Sequence, residues 1–244
     1  MAKKQFKAES KRLLDMMINS IYTHKEIFLR EIISNASDAS DKLYYKALSE
    51  KITGIKRNDF TINITADPAA RTLTVSDRGI GMTRDQLYDD LGVIARSGSF
   101  DFKDGLGGDD DKNKENASRN IDIIGQFGVG FYSAFMVAKH VEVISRAYGE
   151  EQAYAWESDG ADGYTVRECE RDDNGTDVIL TLKDDTDDEK YGQYLSEWTL
   201  KDLVTKYSDY IRYPITMMCS RTVPKEGTDG ETETVMELET LNSM

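Results

Sequence analysis

The sequence predicts an α+β protein, a mostly antiparallel sheet with helices on one face, and three observations lead to this fold class. Two segments, residues 10–20 and 25–48, repeat apolar residues at helical spacing. Shorter segments alternate apolar and polar residues as half-buried strands do, namely 60–65, 72–76, 141–145, 152–156, 164–167 and 177–182. No strand–helix–strand alternation requires a doubly wound parallel sheet. Together these patterns predict a two-layer α/β sandwich.

The second helix, expected from about Lys25 to Leu48, carries a polar stripe. Its members are Glu31, Asn35, Asp38 and Lys42. At ~100° per residue these side chains fall within roughly 60° of one helix face, beside an apolar face. A half-buried carboxylate one turn from a carboxamide can position a water and a metal ion, although a solvated amphipathic helix gives the same pattern. Thr23 is expected to cap the helix, with Glu26 as its capping-box partner.

The alternating segments are expected to form one antiparallel sheet. Segments 60–65 and 72–76 flank the turn residues Asp67-Pro68 and predict a hairpin. The four later segments are separated by turns rich in glycine and asparagine, and they predict an antiparallel meander. One face of the sheet should then pack against the helices.

A glycine motif follows the second strand, where the chain reads Ser76-Asp-Arg-Gly-Ile-Gly-Met82 ahead of a helix expected near Thr83. A strand end places the Asp77 carboxylate at the mouth of a cavity. There it can accept a hydrogen bond, for example from the exocyclic amine of adenine. The glycines let the backbone approach a flat ligand, although an ordinary Asp-x-Gly turn also fits.

A second glycine motif, Gly125-Gln-Phe-Gly-Val-Gly-Phe131, precedes a helical-looking stretch at 132–138. A glycine loop that opens a helix presents free N–H groups to an anion, which is how phosphates are commonly held. The motif lacks the Lys-Ser/Thr pair of a P-loop, and its G-x-x-G-x-G order differs from the dinucleotide fingerprint. The segment between the two motifs, 97–120, has no strong periodicity and is expected to be either a lid or a surface insertion.

Composition limits the classes of function. With 45 acidic against 31 basic residues, the chain repels a phosphate backbone, which argues against nonspecific nucleic-acid binding. Cys169 and Cys219 lack metal-ligand spacing and are expected to be free thiols in a reducing cytoplasm. The first residues lack a continuous apolar run, so no signal peptide is expected, and no segment reaches the ~18 apolar residues of a membrane span.

The order of these motifs is more specific than any one of them. The chain resembles the nucleotide-binding superfamily that unites gyrase B, the MutL proteins, histidine kinases and the ninety-kilodalton heat-shock chaperones. Segments that resemble the amino-terminal domain of the bacterial chaperone are Phe28–Ala39, Leu91–Gly98 and Ile124–Ser133. The resemblance covers about residues 6–216. It implies the nucleotide module of a stress-response chaperone that assists protein folding, which binds ATP with Mg²⁺ and slowly hydrolyses it to ADP and phosphate.

The resemblance also implies roles for individual residues. Glu31 matches the catalytic base that orients the attacking water, and Asn35 matches the residue whose amide oxygen completes the magnesium shell. Asp77 matches the carboxylate that reads adenine. The base pocket is completed by Gly81, Met82 and Thr176. Positions around the sugar and phosphates are matched by Asp38, Asp90, Leu91, Arg96, Ser97, Gly98, Gly125, Gln126, Phe127, Gly128, Val129, Gly130 and Phe131.

The domain organisation is likewise implied by the resemblance. An amino-terminal ATP-binding domain is expected at 1–218, with a lid at about 92–124, and a linker and the start of a further domain at 219–244. The chain is then a fragment, expected to be monomeric, of a cytoplasmic homodimer that acts on unfolded or partly folded client proteins. In the family a middle-domain arginine contacts the γ-phosphate, so hydrolysis by the fragment is expected to be slow. No nucleic acid or membrane partner is expected.

Four positions around the lid hinge depart from the family pattern. In place of the usual Asn, Thr, Lys and Thr, the chain has Asp90, Val93, Arg96 and Ser99. Arg96 keeps the positive charge with a different geometry, whereas Asp90 adds a negative charge near the sugar and phosphates. These substitutions are expected to change nucleotide affinity and lid kinetics and to leave the fold intact.

Other functions of the same fold are the alternatives. A related kinase would transfer phosphate to a histidine, but neither His24 nor His140 lies in a phosphoacceptor-like helix motif. A DNA-coupled ATPase is disfavoured by the net charge of −14. A nucleotide sensor without turnover would differ from a slow ATPase only in releasing no phosphate.

Overall fold

The computed structural model describes residues 24–92, 130–160, 162–225 and 232–243. The helix expected at 10–20 and the capping residue Thr23 lie outside the described residues. So does the expected lid beyond Gly92.

The strands form a single mixed sheet. Its eight described strands are β1 Ile62–Asp67, β2 Thr72–Ser76, β3 Ala138–Arg146, β4 Ala153–Ser158, β5 Tyr164–Cys169, β6 Gly175–Leu182, β7 Ile215–Pro224 and β8 Thr232–Thr240. They lie in the order β5-β4-β3-β6-β2-β1-β7-β8. Neighbours are antiparallel except β1 and β7, which run parallel. The predicted hairpin of β1 and β2 and the mostly antiparallel sheet are therefore confirmed.

The predicted meander is wrong for β6. Strands β3, β4 and β5 follow one another across the sheet, but β6 returns to lie between β3 and β2. Leu180 and Leu182 of β6 are fully buried, whereas the edge strand β5 carries Arg167 and Glu168. The more apolar strand therefore takes the centre of the sheet. Its position brings Thr176 beside the end of β2.

Helices cover one face of the sheet. They are α1 Ile27–Ser49, α2 Arg84–Asp90 and α3 Glu197–Ser208, together with 3₁₀ helices at Arg57–Asp59, Gly130–Met136 and Tyr191–Leu195. Helix α1 contacts β1, β2 and β6 as well as α3. Phe28 and Ile33 of α1 share one buried core with Ile62, Leu73 and Val143 of the strands. Burial of such side chains stabilises the fold by about 1.5–3 kcal/mol each.

The first turn of α1 differs from the predicted cap. The helix begins at Ile27, and the side chain of Glu26, at the cap position, makes no capping hydrogen bond. The Glu26 carboxylate instead accepts hydrogen bonds from the Tyr207 hydroxyl and, at 2.9 Å, from Lys206, both on α3. These bonds lower the pKa of Glu26. A tertiary contact with α3 therefore takes the place of the capping role predicted for Glu26.

The helix expected after the first glycine motif is confirmed, and Thr83 caps it. The Thr83 hydroxyl accepts from the Gln86 N–H at 3.3 Å, and the Gln86 side chain accepts from the Thr83 N–H at 2.8 Å. The stretch expected to be helical at 132–138 is shorter than predicted. It is a 3₁₀ helix that ends at Met136, because β3 begins at Ala138.

The carboxy-terminal part extends the sheet. Residues 219–244, expected to be a linker and the start of a further domain, include strand residues, since β7 runs to Pro224 and β8 spans Thr232–Thr240. Beyond β8, the buried Asn242 side chain accepts from the Ile215 N–H at 2.8 Å and donates to the Ile211 carbonyl at 2.8 Å. These contacts attach residues 232–243 to the sheet, while the domain limits at 218 and 219 stay a prediction.

Two smaller expectations concern the thiols and the membrane. Cys169 is half-buried and Cys219 is buried, and both are free. Across the described ranges, no helix combines the length and apolarity that crossing a membrane requires.

Candidate functional site

The described candidate residues lie on α1, at the end of α2 and on the adjoining strand ends and loops. Glu31, Asn35 and Asp38 lie on α1; Asp77, Gly81 and Met82 follow β2; Asp90 and Leu91 end α2; Gly130 and Phe131 open a 3₁₀ helix; and Thr176 lies on β6. The other candidates, Arg96, Ser97, Gly98 and the five residues of 125–129, lie outside the described residues.

Asp77 is the buried carboxylate of this site, with 5% of its surface exposed. Its backbone exchanges hydrogen bonds with Thr176, at 2.9 Å and 3.3 Å, which fixes the end of β2 against β6. Its Oδ1 accepts the Gly79 N–H at 2.7 Å. Burial raises the pKa of Asp77 to about 7, against the opposing effects of the Gly79 N–H and the Arg171 charge. Such a carboxylate is a strong acceptor for a donor that enters the site.

The two glycines after Asp77 are required by close packing. A Cβ on Gly79 would collide with the backbone of Ala39 on α1, and a Cβ on Gly81 would collide with the Arg146 carbonyl oxygen. Gly81 also has φ +64°, the left-handed region that favours glycine. Between them, the Ile80 N–H donates to the Ala39 carbonyl at 3.0 Å. The loop after β2 is therefore wedged between α1 and the end of β3.

A buried hydroxyl pair supports the loop from the sheet. The Ser145 hydroxyl lies 2.9 Å from the Thr176 hydroxyl, accepts the Met82 N–H at 2.9 Å and is 3.0 Å from the Gly175 carbonyl. Ser145 has no exposed surface. The sequence reasoning missed it, although a serine at an inward position of an otherwise apolar strand was the available signal. Ser145 therefore orients two residues of the predicted base pocket, Met82 and Thr176.

The polar stripe of α1 is only partly buried. Asn35 is exposed, whereas Asp38 is 2% exposed. Glu31 is half-buried, and its Oε1 accepts from Arg30 Nη2 at 2.5 Å and Arg30 Nε at 3.1 Å. Its Oε2 lies against Gly130, where an added Cβ would collide with it. The first residue of the 3₁₀ helix therefore packs directly on the predicted catalytic carboxylate.

A hydrogen bond connects the end of α2 with the residue that follows the second glycine motif. The buried Tyr132 hydroxyl donates to the Leu91 carbonyl at 3.0 Å, and burial raises the pKa of Tyr132. Phe131 packs edge-on against Tyr132 and Trp156, with ring centroids 5.5 Å apart in each pair. Asp90, the acidic departure at the hinge, is half-buried. The two ends of the segment outside the described residues are thus held together.

Protein carboxylates would not supply most of the ligands of a metal ion at this site. Among the described residues, no group of three or more His, Cys, Asp and Glu side chains is placed to hold one. The exposed Asn35 amide fits a hard cation as one neutral oxygen ligand, with the remaining ligands supplied by water and phosphate.

A mixed sheet with helices on one face, a buried carboxylate followed by packed glycines, and a polar helix face beside a glycine motif define a nucleotide-binding domain. Residues 22–174 match the family model described as "Histidine kinase-, DNA gyrase B-, and HSP90-like ATPase", and residues 193–243 match the model described as "Hsp90 protein". The chain belongs to the family of histidine kinase-, DNA gyrase B- and HSP90-like ATPases.

Similar proteins narrow this assignment. The chain is 57% identical over 244 residues to the chaperone protein HtpG of Clostridium acetobutylicum. It is 58% identical over 245 residues to that of Bacillus subtilis and 57% identical over 245 residues to that of Alkaliphilus metalliredigens. Each match covers 100% of this chain and 38% of the relative, so the chain spans well under half the length of these relatives. The resemblance to the bacterial Hsp90 chaperones is confirmed.

Proposed function

We propose that the chain is the ATP-binding module of a chaperone and that it hydrolyses ATP slowly with Mg²⁺. The observation that carries this proposal is the buried Asp77 carboxylate. Its pKa is raised, and its Oδ1 accepts a hydrogen bond from the Gly79 N–H. The Asp77 backbone pairs with that of Thr176 at the end of β2. A buried acceptor of this kind is costly unless a ligand donor pairs with it. The family membership and the relatives named HtpG support the same proposal.

At the base end, Asp77 would accept the exocyclic amine of adenine. The Thr176 hydroxyl would bind the base directly or through a water, and Gly81 and Met82 would line the pocket. Ser145 would hold Thr176 and the Met82 amide in place, because it contacts both. Guanine presents an oxygen where adenine presents the amine, so a carboxylate here would disfavour guanine nucleotides.

At the phosphate end, Glu31 would orient or deprotonate the attacking water. Asn35 would complete the magnesium shell, and the bound magnesium ion would stabilise charge on the phosphates. Free N–H groups of the glycine motif, 125–131, would add to that stabilisation. The remaining residues of the proposed sugar and phosphate site are Asp38, Asp90, Leu91, Arg96, Ser97 and Gly98.

The functions of a longer protein are proposals too. We propose that it acts in the cytoplasm as a homodimer on unfolded or partly folded client proteins. This chain alone is expected to hydrolyse ATP slowly, because a γ-phosphate contact from a further domain would be missing. It is expected to be monomeric, because the resemblance implies that a carboxy-terminal domain makes the dimer. The relatives, which span more than this chain, are named chaperone proteins, and that name supports the chaperone part of the proposal.

Labelled ATP distinguishes this proposal from its alternatives. We would incubate the chain with γ-labelled ATP and Mg²⁺ and follow label in free phosphate and on protein, with GTP as the matched control. The proposal expects slow release of free phosphate from ATP and much less from GTP. Label transferred to a histidine of an added protein would favour the kinase. Retained ATP binding without any phosphate release would favour a sensor.

A further inference from the structure

The turn between β5 and β6, residues 170–174, contacts the Asp77 loop from the sheet side. Arg171 Nη2 donates to the Asp77 carbonyl at 2.9 Å. Asn174 Nδ2 donates to the Arg78 carbonyl at 3.1 Å and to the Gly79 carbonyl at 2.7 Å. Three successive carbonyls after β2 are therefore bound by two side chains of one turn. We call residues 170–174 the clamp turn.

We propose that Arg171 and Asn174 are positioning residues that orient the Asp77 carboxylate for its ligand. The proposal rests on the proposed function, in which that ligand is an adenine nucleotide. Both residues act through Asp77 and Gly79. Neither belongs to the motifs from which the site was inferred.

The Arg171 side chain is itself fixed in position by Asp177. Its side chain is 10% exposed, and its Nε and Nη2 each lie 3.1 Å from a carboxylate oxygen of Asp177 on β6. A two-pronged arginine–carboxylate pair fixes the plane of the guanidinium. Arg171 also donates to the Asp173 carbonyl within its own turn. The guanidinium is therefore a rigid donor to Asp77, and a substitution would release the peptide that follows β2.

Arg171 also acts through its charge. It lowers the pKa of Asp77, whereas Asp177 raises it, and burial dominates both effects. Other charged side chains of the loop and the clamp turn are Arg78, ion-paired to Asp173 at 2.8 Å, and Asp172; Asp38 and Lys42 lie on α1, whose Ala39 contacts the loop. Arg171 is the cation in direct contact with the Asp77 peptide.

Asn174 supplies the same support without charge. Because its amide binds the carbonyls of Arg78 and Gly79, it fixes the Arg78–Gly79 peptide, whose N–H donates to Asp77 Oδ1. Gly175 completes the fit, since a Cβ there would collide with the Asp77 carbonyl oxygen. Asn174 thus affects only the position of the Asp77 loop. Arg171 affects both that position and, through its charge, the pKa of Asp77.

The first part of the test needs no nucleotide. Protein labelled with ¹³C at aspartate carboxyl carbons is titrated by NMR, with Asp77 assigned by the missing signal of Asp77→Asn. Arg171→Gln should raise the Asp77 midpoint by about one pH unit, and Arg171→Lys should restore most of it. Asn174→Ala should leave the midpoint within a few tenths. The matched control is Arg167→Gln, because Arg167 pairs with Glu142 at 2.5 Å on the same sheet.

The second part measures ADP binding by calorimetry at pH 6.5 and pH 8.5. Asn174→Ala should weaken ADP about three- to tenfold at both values, as expected for a lost buried hydrogen bond. Arg171→Gln should weaken it more at pH 6.5 than at pH 8.5, because protonation removes the negative charge of Asp77 and makes it a weaker acceptor for the amine. Arg167→Gln should match the parent in both assays.

The outcomes separate this proposal from the proposed function. An Asp77 midpoint that does not move in Arg171→Gln, or that moves equally in Arg167→Gln, would overturn the role of Arg171. ADP affinity unchanged in Asn174→Ala would overturn that of Asn174. If the parent failed to bind ADP while the midpoints moved as expected, the proposed function would fail and the positioning of Asp77 would stand. If Arg171→Gln did not fold, Arg171→Lys would test the geometry, because it keeps the charge but cannot make the two-pronged pair with Asp177; ADP affinity unchanged in it would overturn the positioning role of Arg171.

Discussion

The proposed base end and the proposed phosphate end of the site differ in how firmly the described residues hold their side chains. At the base end, Asp77 is 5% exposed, and backbone or side-chain groups of Gly79, Thr176 and Arg171 bind it. At the phosphate end, Asn35 is exposed and Glu31 is half-buried on the surface of α1. The base end is preorganised by sheet pairing. The phosphate end depends on what covers α1, so we expect binding and hydrolysis to respond separately to mutation.

Glu31→Ala is expected to separate hydrolysis from nucleotide binding most sharply. Phosphate release should fall by about 10²–10⁴-fold, the usual worth of a positioned base, while ADP affinity should stay within about threefold. Single-turnover phosphate release and ADP calorimetry measure the two quantities. Glu50→Ala, an exposed change at the other end of α1, is the control. Normal turnover by Glu31→Ala would remove Glu31 from the chemistry.

A large effect on stability is expected from Asp77→Asn. The raised pKa, about 7, means that the folded state keeps a proton that the unfolded state releases between about pH 4 and pH 7. The parent should therefore lose stability as pH rises through that window. Replacing the buried charge by an amide should increase the free energy of unfolding at pH 8, by about 4 kcal/mol at most, and change it little at pH 4.

Urea unfolding at the two pH values tests this sign. The exposed Asp187→Asn is the matched control and should show neither effect. If Asp77→Asn were no more stable than the parent at pH 8, the burial of a charged carboxylate at the base end would be contradicted.

Gly130→Ala probes the phosphate end without removing its carboxylate. The added methyl group would overlap Glu31 Oε2, so the carboxylate must turn away from its position. A misplaced base should slow phosphate release by about 10²-fold. Gly149→Ala is a glycine control in an open turn, where an added Cβ meets nothing within 4 Å but φ is +88°. Phosphate release at the parental rate would show that Gly130 does not set the position of Glu31.

Ser145→Ala should give the smallest effect. The change leaves the Met82 N–H without its acceptor and the Thr176 hydroxyl without its partner. We expect a loss of about 1–2 kcal/mol in stability and a few-fold weaker ADP binding, with turnover per bound ATP unchanged. Thermal unfolding and calorimetry measure both. A stability and an ADP affinity equal to those of the parent would contradict the supporting role of Ser145.

The sequence could predict the local elements and the site motifs because their signals are local. Alternating apolar residues predicted β1 and β2, and the first glycine motif predicted a helix beginning near Thr83, the residue that caps α2. The position of β6 could not be predicted, because it pairs with β2 and β3 and such pairing between distant strands is decided by packing in the folded sheet. Glu26 was misassigned for a similar reason, since its partners Lys206 and Tyr207 come from a helix far along the chain.

The site was predicted unevenly for the same physical reason. Asp77 and Gly81 lie in one short motif after a strand, so their spacing carried the signal. Ser145 and Arg171 come from other strands and turns, and they reach the site only after the sheet forms. The residues proposed to bind the ligand therefore have a sequence signal, whereas the residues that hold them in place do not.

The measurement that tests the central claim most directly is a calorimetric titration of the parent and of Asp77→Asn with ADP at pH 8. The account predicts that the parent binds ADP. It predicts that the variant, although more stable, binds ADP about 10- to 100-fold more weakly, because a ligand donor loses its charged acceptor. Equal affinity of the two proteins would contradict the claim that Asp77 reads the base.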